Sequence, residues 1–268
     1  MSPPRPIERV VVLLDAASDS LVALDTAARL AAEAKAPLHG IFVEDEELLQ
    51  LASLPFARQM TLGAHAEALT TEHVELHLRI AAGRARRDLF AAADRHGVRG
   101  SFEIVRGAAD SALAGASERD LVVAGALTRP IGGHFRVECR WWTSIEAASG
   151  PLLLARHAWS TSGSVAMLLS DRGAASLRLL EAAAQIAEAA DRMLTVIIAG
   201  GEPSEDWIAA RLAGRPLRLR VETGPAEPTA LRQRLGELDC RLLAIAAAGG
   251  ARLRDLVEDF GCDILIVG

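Results

Sequence analysis

Short apolar segments alternate along the chain with longer segments in which apolar residues recur at helical spacing. The first apolar segment, 10–15, is a run of β-branched residues and leucine, which is typical of a strand buried on both faces. Segment 21–34 then carries apolar residues three and four positions apart and ends before Pro37, as helices do. The alternation continues to the last residue. It predicts an α/β fold with parallel strands joined by right-handed helical crossovers.

The pattern occurs twice along the chain. The first copy contains a long helical region, whose longer helix is predicted at 64–95, and five strands, at 10–15, 38–43, 100–105, 121–124 and 152–155. The second copy contains five strands, at 165–169, 194–199, 217–221, 242–246 and 264–267. Its helices are predicted at 176–190, 205–212, 229–238 and 252–260.

The two copies also match at individual positions. Leu30 corresponds to Ile186, and Leu38 corresponds to Leu194 at the same separation along the chain. Such self-similarity is the signature of a tandem repeat. We therefore predict two domains of one type, each near the usual domain size, with boundaries at 1–158 and 159–268. The second copy is shorter because the segment between its second and third strands is short.

The last strand of each copy is entirely apolar and is predicted at the edge of its sheet. These strands are Leu152–Ala155 and 264–267, the second running from Ile264 to Val267. An exposed apolar edge strand pairs readily with another strand. We therefore expect the two strands to pair with each other within the chain, or with a second copy in a homodimer.

Four short motifs carry a resemblance to a known family. In chain order they are Val12-Leu-Leu-Asp15 with Ser18 and Ser20, Ile41-Phe-Val-Glu44, Asp120-Leu-Val-Val-Ala-Gly125 and Gly150-Pro151-Leu-Leu-Leu. They resemble the strands and the Asp/Ser turn of the universal stress proteins, here as two UspA-like domains in tandem. The resemblance covers nearly the whole chain. It implies a Rossmann-like or flavodoxin-like parallel sheet of five strands in each domain, with helices on both faces and dimers that form through the last strand.

The ATP-binding members of that family carry the motif G-x2-G-x9-G-(S/T) after the fourth strand. Its glycines let backbone amides approach the phosphates, and the helix that follows favours anions at its N-terminus. In this chain Gly125 is the first glycine, but Thr128 stands at the second, and Glu138 and Cys139 stand at the final pair. A carboxylate at Glu138 would repel a phosphate.

The second copy departs further from the motif. Its fourth strand runs through Ala246 into a Gly249-Gly250 pair and then directly into a helix, so most of the phosphate loop is missing. Ser170 or Asp171 takes the place of Asp15. We expect no nucleotide in the second copy.

Composition and charge exclude several classes of protein. The net charge of -6 gives no indication of nucleic-acid binding, and no apolar run approaches the roughly 18 residues of a membrane span. Lys35 is the only lysine, which leaves none for a Walker-type loop. The three cysteines, Cys139, Cys240 and Cys262, are odd in number and distant in sequence, so they fit neither a disulfide framework nor a zinc motif. We expect reduced cysteines in a cytoplasmic protein.

Other conspicuous residues predict no chemistry. His73 and His77 share a helix face, as metal ligands can, but a solvated arginine-rich helix explains them and no metal is predicted. Trp141 and Trp142 are interpreted as core residues or as a contact with a partner or between the domains, which Trp159 could join. Neither a nucleophile elbow nor a spaced pair of carboxylates is present, so no catalytic residue is predicted.

Two hypotheses for function follow. The first is a non-enzymatic regulatory or interaction module of the stress response, with an unknown protein partner and no bound cofactor. The second is a sensor of ATP or another adenine nucleotide that uses the first domain only, while a third class, an ATP hydrolase, lacks catalytic residues. In the second hypothesis the nucleotide would contact Asp15, Val43, Gly125, Thr128, Gly132 and Gly133.

Overall fold

The computed structural model describes most of the chain. The described residues are 7–16, 20–44, 46–60, 66–107, 113, 115–125, 149–159, 162–200, 203–224, 227–247 and 260–268. In the first half they form β1 (Arg9–Leu14), α1 (Ser20–Ala34), β2 (Leu38–Glu44), α2 (Glu46–Ala52), β3 (Arg58–Met60), β4 (Ala66–Ala68), α3 (Thr71–His96), β5 (Gly100–Arg106), β6 (Asp120–Gly125) and β7 (Leu152–Ala155). In the second half they form β8 (Ser164–Leu169), α4 (Ala174–Ala189), β9 (Met193–Ile198), α5 (Glu205–Leu212), β10 (Arg218–Thr223), α6 (Pro228–Glu237), β11 (Cys240–Ala246) and β12 (Asp263–Val267).

Ten of these strands form one continuous sheet in the order β10-β9-β8-β11-β12-β7-β6-β1-β2-β5. Within each half the five strands are parallel, and they follow the same spatial order in both halves. The predicted α/β class with mostly parallel strands is therefore confirmed. The two sets of five strands are joined edge to edge within the chain, so the two halves share a single sheet.

The halves meet where β7 and β12 pair antiparallel, with Leu153 opposite Leu265. All residues of both strands are buried. Each strand has a hydrogen-bonded neighbour on both sides, because β7 also pairs with β6 and β12 with β11. Neither strand therefore presents a free edge to a second copy.

The predicted start of the long helix at residue 64 is wrong. A hairpin of β3 and β4 precedes the helix, which begins only at Thr71. Thr70 is the N-cap of this helix. Its backbone is extended rather than helical, and its side-chain oxygen accepts a hydrogen bond from the amide of His73 at 3.3 Å. Gly97 ends the helix with a φ of 66°, a left-handed conformation that glycine adopts without strain.

The residues that match between the two copies occupy equivalent buried positions. Leu30 of α1 corresponds to Ile186 of α4, and Leu38 at the start of β2 corresponds to Leu194 in β9. All four side chains are buried. The domain boundaries at 1–158 and 159–268 stay a prediction.

Apolar side chains cover both faces of the sheet. Val10 and Val12 belong to the larger core, which α1, α3, α4 and α5 cover, whereas Val11 and Leu13 belong to a second core beneath Leu113 and α6. This alternation explains why β1 is apolar at every position: both of its faces are buried.

A buried carboxylate fixes the junction between the halves. Asp263 opens β12 and is 4% exposed. Its Oδ1 accepts hydrogen bonds from the amides of Arg156 at 2.7 Å and His157 at 3.2 Å, which follow β7 in the chain. Burial raises the pKa of Asp263, and the two amides oppose that rise. The side chain thus ties the segment that leaves β7 to the start of β12.

Substitution of Asp263 tests this junction. Asp263→Ala removes the acceptor of two amides and is expected to lower the free energy of unfolding by about 2 kcal/mol. Asp263→Asn keeps an acceptor oxygen and buries no charge, so we expect a loss below about 1 kcal/mol. Urea unfolding of both variants measures the difference. Equal losses would contradict the hydrogen-bonding role.

The pH dependence of the same variants has a definite sign. Because the pKa of Asp263 is raised in the folded state, its contribution to stability falls as pH rises from about 3.9, the unfolded value, through the folded value. We expect this component of the stability profile to disappear in Asp263→Asn. Urea unfolding of wild type and variant between about pH 4 and 7 measures it.

Candidate functional site

The carboxyl ends of β1, β2 and β6 form the crevice at which parallel α/β sheets bind ligands. In the sheet, β1 lies between β2, which follows it in the chain, and β6, which comes later and pairs with its other edge. The strand order reverses at this point, and loops from adjacent strands diverge there to leave room for a ligand.

Three residues predicted to contact a nucleotide lie together at this crevice. Leu14 pairs with Phe42, so the residues that follow them, Asp15 and Val43, lie side by side. The register between β1 and β6 places Gly125, the last residue of β6, beside Leu14. The other three predicted residues, Thr128, Gly132 and Gly133, lie outside the described residues. Contact of all six with a nucleotide stays a prediction.

The crevice combines an acidic side chain with an apolar wall. Asp15 and Val43 are both half-buried, and Val43 packs against the core that contains Leu13 and Ile41. A carboxylate in this position can accept hydrogen bonds from amino or hydroxyl groups of a ligand, but it repels phosphate groups. The described part of the crevice therefore suits the neutral end of a ligand better than its anionic end.

An ion pair closes the crevice on the side of β5. Nε and Nη2 of Arg106 both lie 3.1 Å from Oε2 of Glu44. The amide of Gly107 also donates to the carbonyl oxygen of Glu44 at 3.0 Å. The cation at this end of β5 is thus already matched by a carboxylate and contributes little to phosphate binding.

The equivalent crevice of the second half has lost its acidic residue. The register of β8 places Ser170, rather than Asp171, at the position of Asp15. Asp171 instead anchors the start of α4, where its Oδ1 accepts hydrogen bonds from the hydroxyl of Ser176 and the amide of Gly173, each at 2.7 Å. These two bonds, the hydroxyl first, lower the pKa of Asp171.

A cavity of about 350 Å³ lies at the amino ends of β11 and β12, against the segment that leaves β7. Three guanidinium groups and two thiols line it, those of Arg192, Arg232, Arg241, Cys240 and Cys262. No sequence motif marks this cavity, because its lining comes from segments far apart in the chain.

Arg192 is the buried cation of this cavity. It is 3% exposed, and its guanidinium carbon lies 4.2 Å from the centre of the Trp159 ring, an attractive cation–π arrangement. Trp159 is buried as well, and its Nε1 donates to Oε1 of Glu33 at 3.3 Å. Burial lowers the pKa of Arg192 and raises the pKa of Glu33. Trp159 is therefore a contact between the two halves, the alternative that the sequence analysis left open for it.

Two buried polar groups near this cavity are incompletely bonded. Among the described residues, Nε and Nη2 of Arg192 and Oε2 of Glu33 have no hydrogen-bond partner. Buried polar atoms in folded proteins are nearly always satisfied, in many cases by ordered water. The cavity therefore has unfilled capacity for polar contacts.

The remaining candidates show no assembled site. Within the described ranges no group of three or more His, Cys, Asp and Glu side chains could hold a metal, and His73 and His77 are both exposed. No helix in the described ranges is long and apolar enough to cross a membrane. Trp141 and Trp142 lie outside the described residues.

This chain is similar to known proteins in structure but matches none of them in sequence family. No protein-family model and no curated protein matches this chain in sequence. A universal stress protein from Archaeoglobus fulgidus DSM 4304 matches with a TM-score of 0.68 and 11% identity, over 96% of this chain and 95% of that chain. The chain has the universal stress protein fold. The family resemblance predicted from its motifs is thus confirmed at the level of the fold.

Two structures from Pseudomonas aeruginosa extend the comparison. A candidate universal stress protein from strain UCBPP-PA14 matches with a TM-score of 0.59 and 18% identity, over 98% of this chain and 93% of that chain. A functionally unknown protein from strain PAO1 matches equally well, with 92% of that chain covered. The universal stress protein fold therefore extends over both halves of the chain.

Replacing Asp171 tests its assignment to the start of α4. Asp171→Ala is expected to lower the free energy of unfolding by about 1 kcal/mol, the usual cost of losing a side-chain acceptor at a helix N-terminus. Because the pKa of Asp171 is lowered in the folded state, this stabilisation is present above about pH 3.9 and disappears as pH falls through the folded pKa. Thermal unfolding at two pH values, with Asp171→Asn as control, measures it. Wild-type stability in Asp171→Ala would contradict the assignment.

Proposed function

We propose that this chain is a cytoplasmic regulatory or interaction module of the stress response, which acts by binding rather than catalysis and does not hold ATP in the family's usual way. The observation that carries the proposal is the chemistry of the phosphate loop. Thr128 and Glu138 stand where the ATP-binding motif requires glycines, which removes the close backbone approach and adds a repelling charge.

The described crevice supports the same conclusion. Asp15 adds a second negative charge close to the first loop residue, Gly125. Arg106, the cation at the end of β5, is paired with Glu44. The described crevice residues therefore offer a triphosphate a carboxylate and an already paired arginine, and like charges disfavour its binding.

An exposed apolar surface on the first half supports a role in interaction. The segment between β2 and β5 has a small core of its own, formed by Ala52, Val74 and Leu78. On the outside of this segment, Phe56 is 76% exposed and Ile80 is 62% exposed. Contiguous exposed apolar side chains are typical of a surface that contacts a partner, and Phe56 and Ile80 are the candidates for such a surface.

The alternative is an adenine-nucleotide sensor that uses the first half only. The adjacency of Asp15, Val43 and Gly125 at the switch point favours it, because these positions would face the nucleoside and the first phosphate. The second half is not part of this alternative, since Ser170 stands at the position of Asp15.

Nucleotide binding separates the two proposals. Native mass spectrometry of the purified protein, followed by calorimetric titration with ATP, is expected to show no co-purified nucleotide, no micromolar binding and no ATP turnover. Micromolar binding that is lost in Gly125→Asp but kept in Ala246→Asp would replace the leading proposal with the sensor. Ala246 is the matched control because it ends β11 as Gly125 ends β6.

Substitutions on α3 test whether the exposed apolar surface is free of a structural role. Ile80→Glu is expected to change the free energy of unfolding by less than about 0.5 kcal/mol, because the side chain is 62% exposed. Leu78→Glu, at a position that is 2% exposed, buries a charge and is expected to cost more than about 3 kcal/mol. Urea unfolding compares them. A large loss in Ile80→Glu would show that Ile80 serves the fold.

A further inference from the structure

Two cysteines that are distant in sequence lie together at the cavity between the halves. Cys240 opens β11, and Cys262 immediately precedes β12. Both line the 350 Å³ cavity, and both pack in the same apolar core on one face of the sheet. Their side chains are within hydrogen-bonding contact, and both are free thiols.

The strand register brings the two thiols together. Leu242 pairs with Asp263, so Cys262 lies across from Arg241 and diagonally from Cys240. Strands spaced about 4.8 Å apart, with an offset of one residue, place the two Cα atoms roughly 6 Å apart, within the about 4.4–6.8 Å of a disulfide. An irregularity in the pairing of β11 with β8 falls at Cys240, which accounts for its side chain lying on the face of Cys262.

The hydrogen bond between the two thiols makes their pKa values unequal. This hydrogen bond raises the pKa of Cys240 and lowers the pKa of Cys262. Burial and the carboxylate of Asp263 oppose the lowering at Cys262, while Arg156 favours it. Arg192 faces Cys240 from the cavity wall. A thiol of lowered pKa beside one of raised pKa is the arrangement of a reactive dithiol.

We propose that Cys240 and Cys262 form a peroxide-reactive dithiol that closes into a disulfide at the junction of the two halves. The thiolate of Cys262 attacks one oxygen of hydrogen peroxide, the O–O bond breaks, and Cys262 becomes a sulfenic acid while hydroxide leaves and is protonated to water. The sulfur of Cys240 then attacks the sulfur of Cys262, the S–O bond breaks, and a second water leaves. Two thiols and one peroxide thus give one disulfide and two waters.

The cavity gives the oxidant access. Cys262 is only 7% exposed, but the cavity that reaches it is far larger than the about 30 Å³ that a water molecule occupies. The pair also adjoins Asp263, which holds the segment after β7, so oxidation takes place at the contact between the halves. This inference goes beyond the proposed function and does not rest on it, because the crevice at Gly125 is a separate site.

Counting alkylated thiols tests the proposal. The reduced full-length protein is treated with hydrogen peroxide, unfolded in urea, alkylated, and weighed by intact mass spectrometry. The untreated chain is expected to take up three alkyl groups, one for each cysteine, and the treated chain two fewer. Peptide mapping is expected to recover a fragment in which Cys240 is joined to Cys262. Dithiothreitol should restore all three thiols.

Matched variants identify the members of the pair. Cys139→Ser keeps the pair and is expected to form the same linked fragment, so this result stands even where other variants fold poorly. Cys240→Ser is expected to accumulate a sulfenic acid at Cys262, trapped by dimedone, and Cys262→Ser is expected to resist oxidation at Cys240. Three thiols that all survive peroxide, linkage through Cys139, or wild-type oxidation kinetics in Cys262→Ser would each overturn the proposal.

Discussion

The antiparallel pairing of β7 with β12 is the contact on which the rest of the structure depends. Both strands are apolar at nearly every position, and each would expose a row of unpaired amides and carbonyls if it ended a sheet. Their pairing satisfies those groups and makes one sheet of two parallel sets. It also brings α1 into contact with α4. Nearby, the amide of Ile7, which precedes β1, donates a hydrogen bond to Oε1 of Gln185 in α4 at 3.2 Å.

The same strand order supports different chemistry in the two halves. Gly150 and Cys262 occupy equivalent positions, each three residues before the paired leucines Leu153 and Leu265. At Gly150 a side chain would come within 2.6 Å of the carbonyl oxygens of Ser117 and Asp120, so the first half has no room for a thiol there. The second half carries the thiol at this position, with a cavity beside it. It has Ser170 at the crevice position, and the carboxylate of the next residue, Asp171, anchors a helix.

Local signals sufficed for most elements of the fold. The bounds of β7 and α5 agree with those predicted, because an apolar run after Pro151 and a Ser204 cap mark them in the sequence. The start of α3 was predicted wrongly, because the residues of β4 are good helix formers that tertiary pairing with β3 holds in a strand. For the crevice, the motif around Asp15 and Gly125 sufficed to predict which residues lie together.

The sequence by itself determined which segments are strands and helices, that their pattern occurs twice, and that the phosphate motif is altered. Those properties depend on the periodicity of apolar residues, on helix-capping residues and on the spacing of motifs, all of which are local in the sequence. Only the tertiary structure decided that β7 pairs with β12 of the same chain rather than with a second copy, that Trp159 lies under Arg192, and that Cys240 reaches Cys262. These contacts join residues far apart in the chain. Strand pairing and side-chain packing determine these contacts, and a local sequence pattern specifies neither the pairing nor the packing.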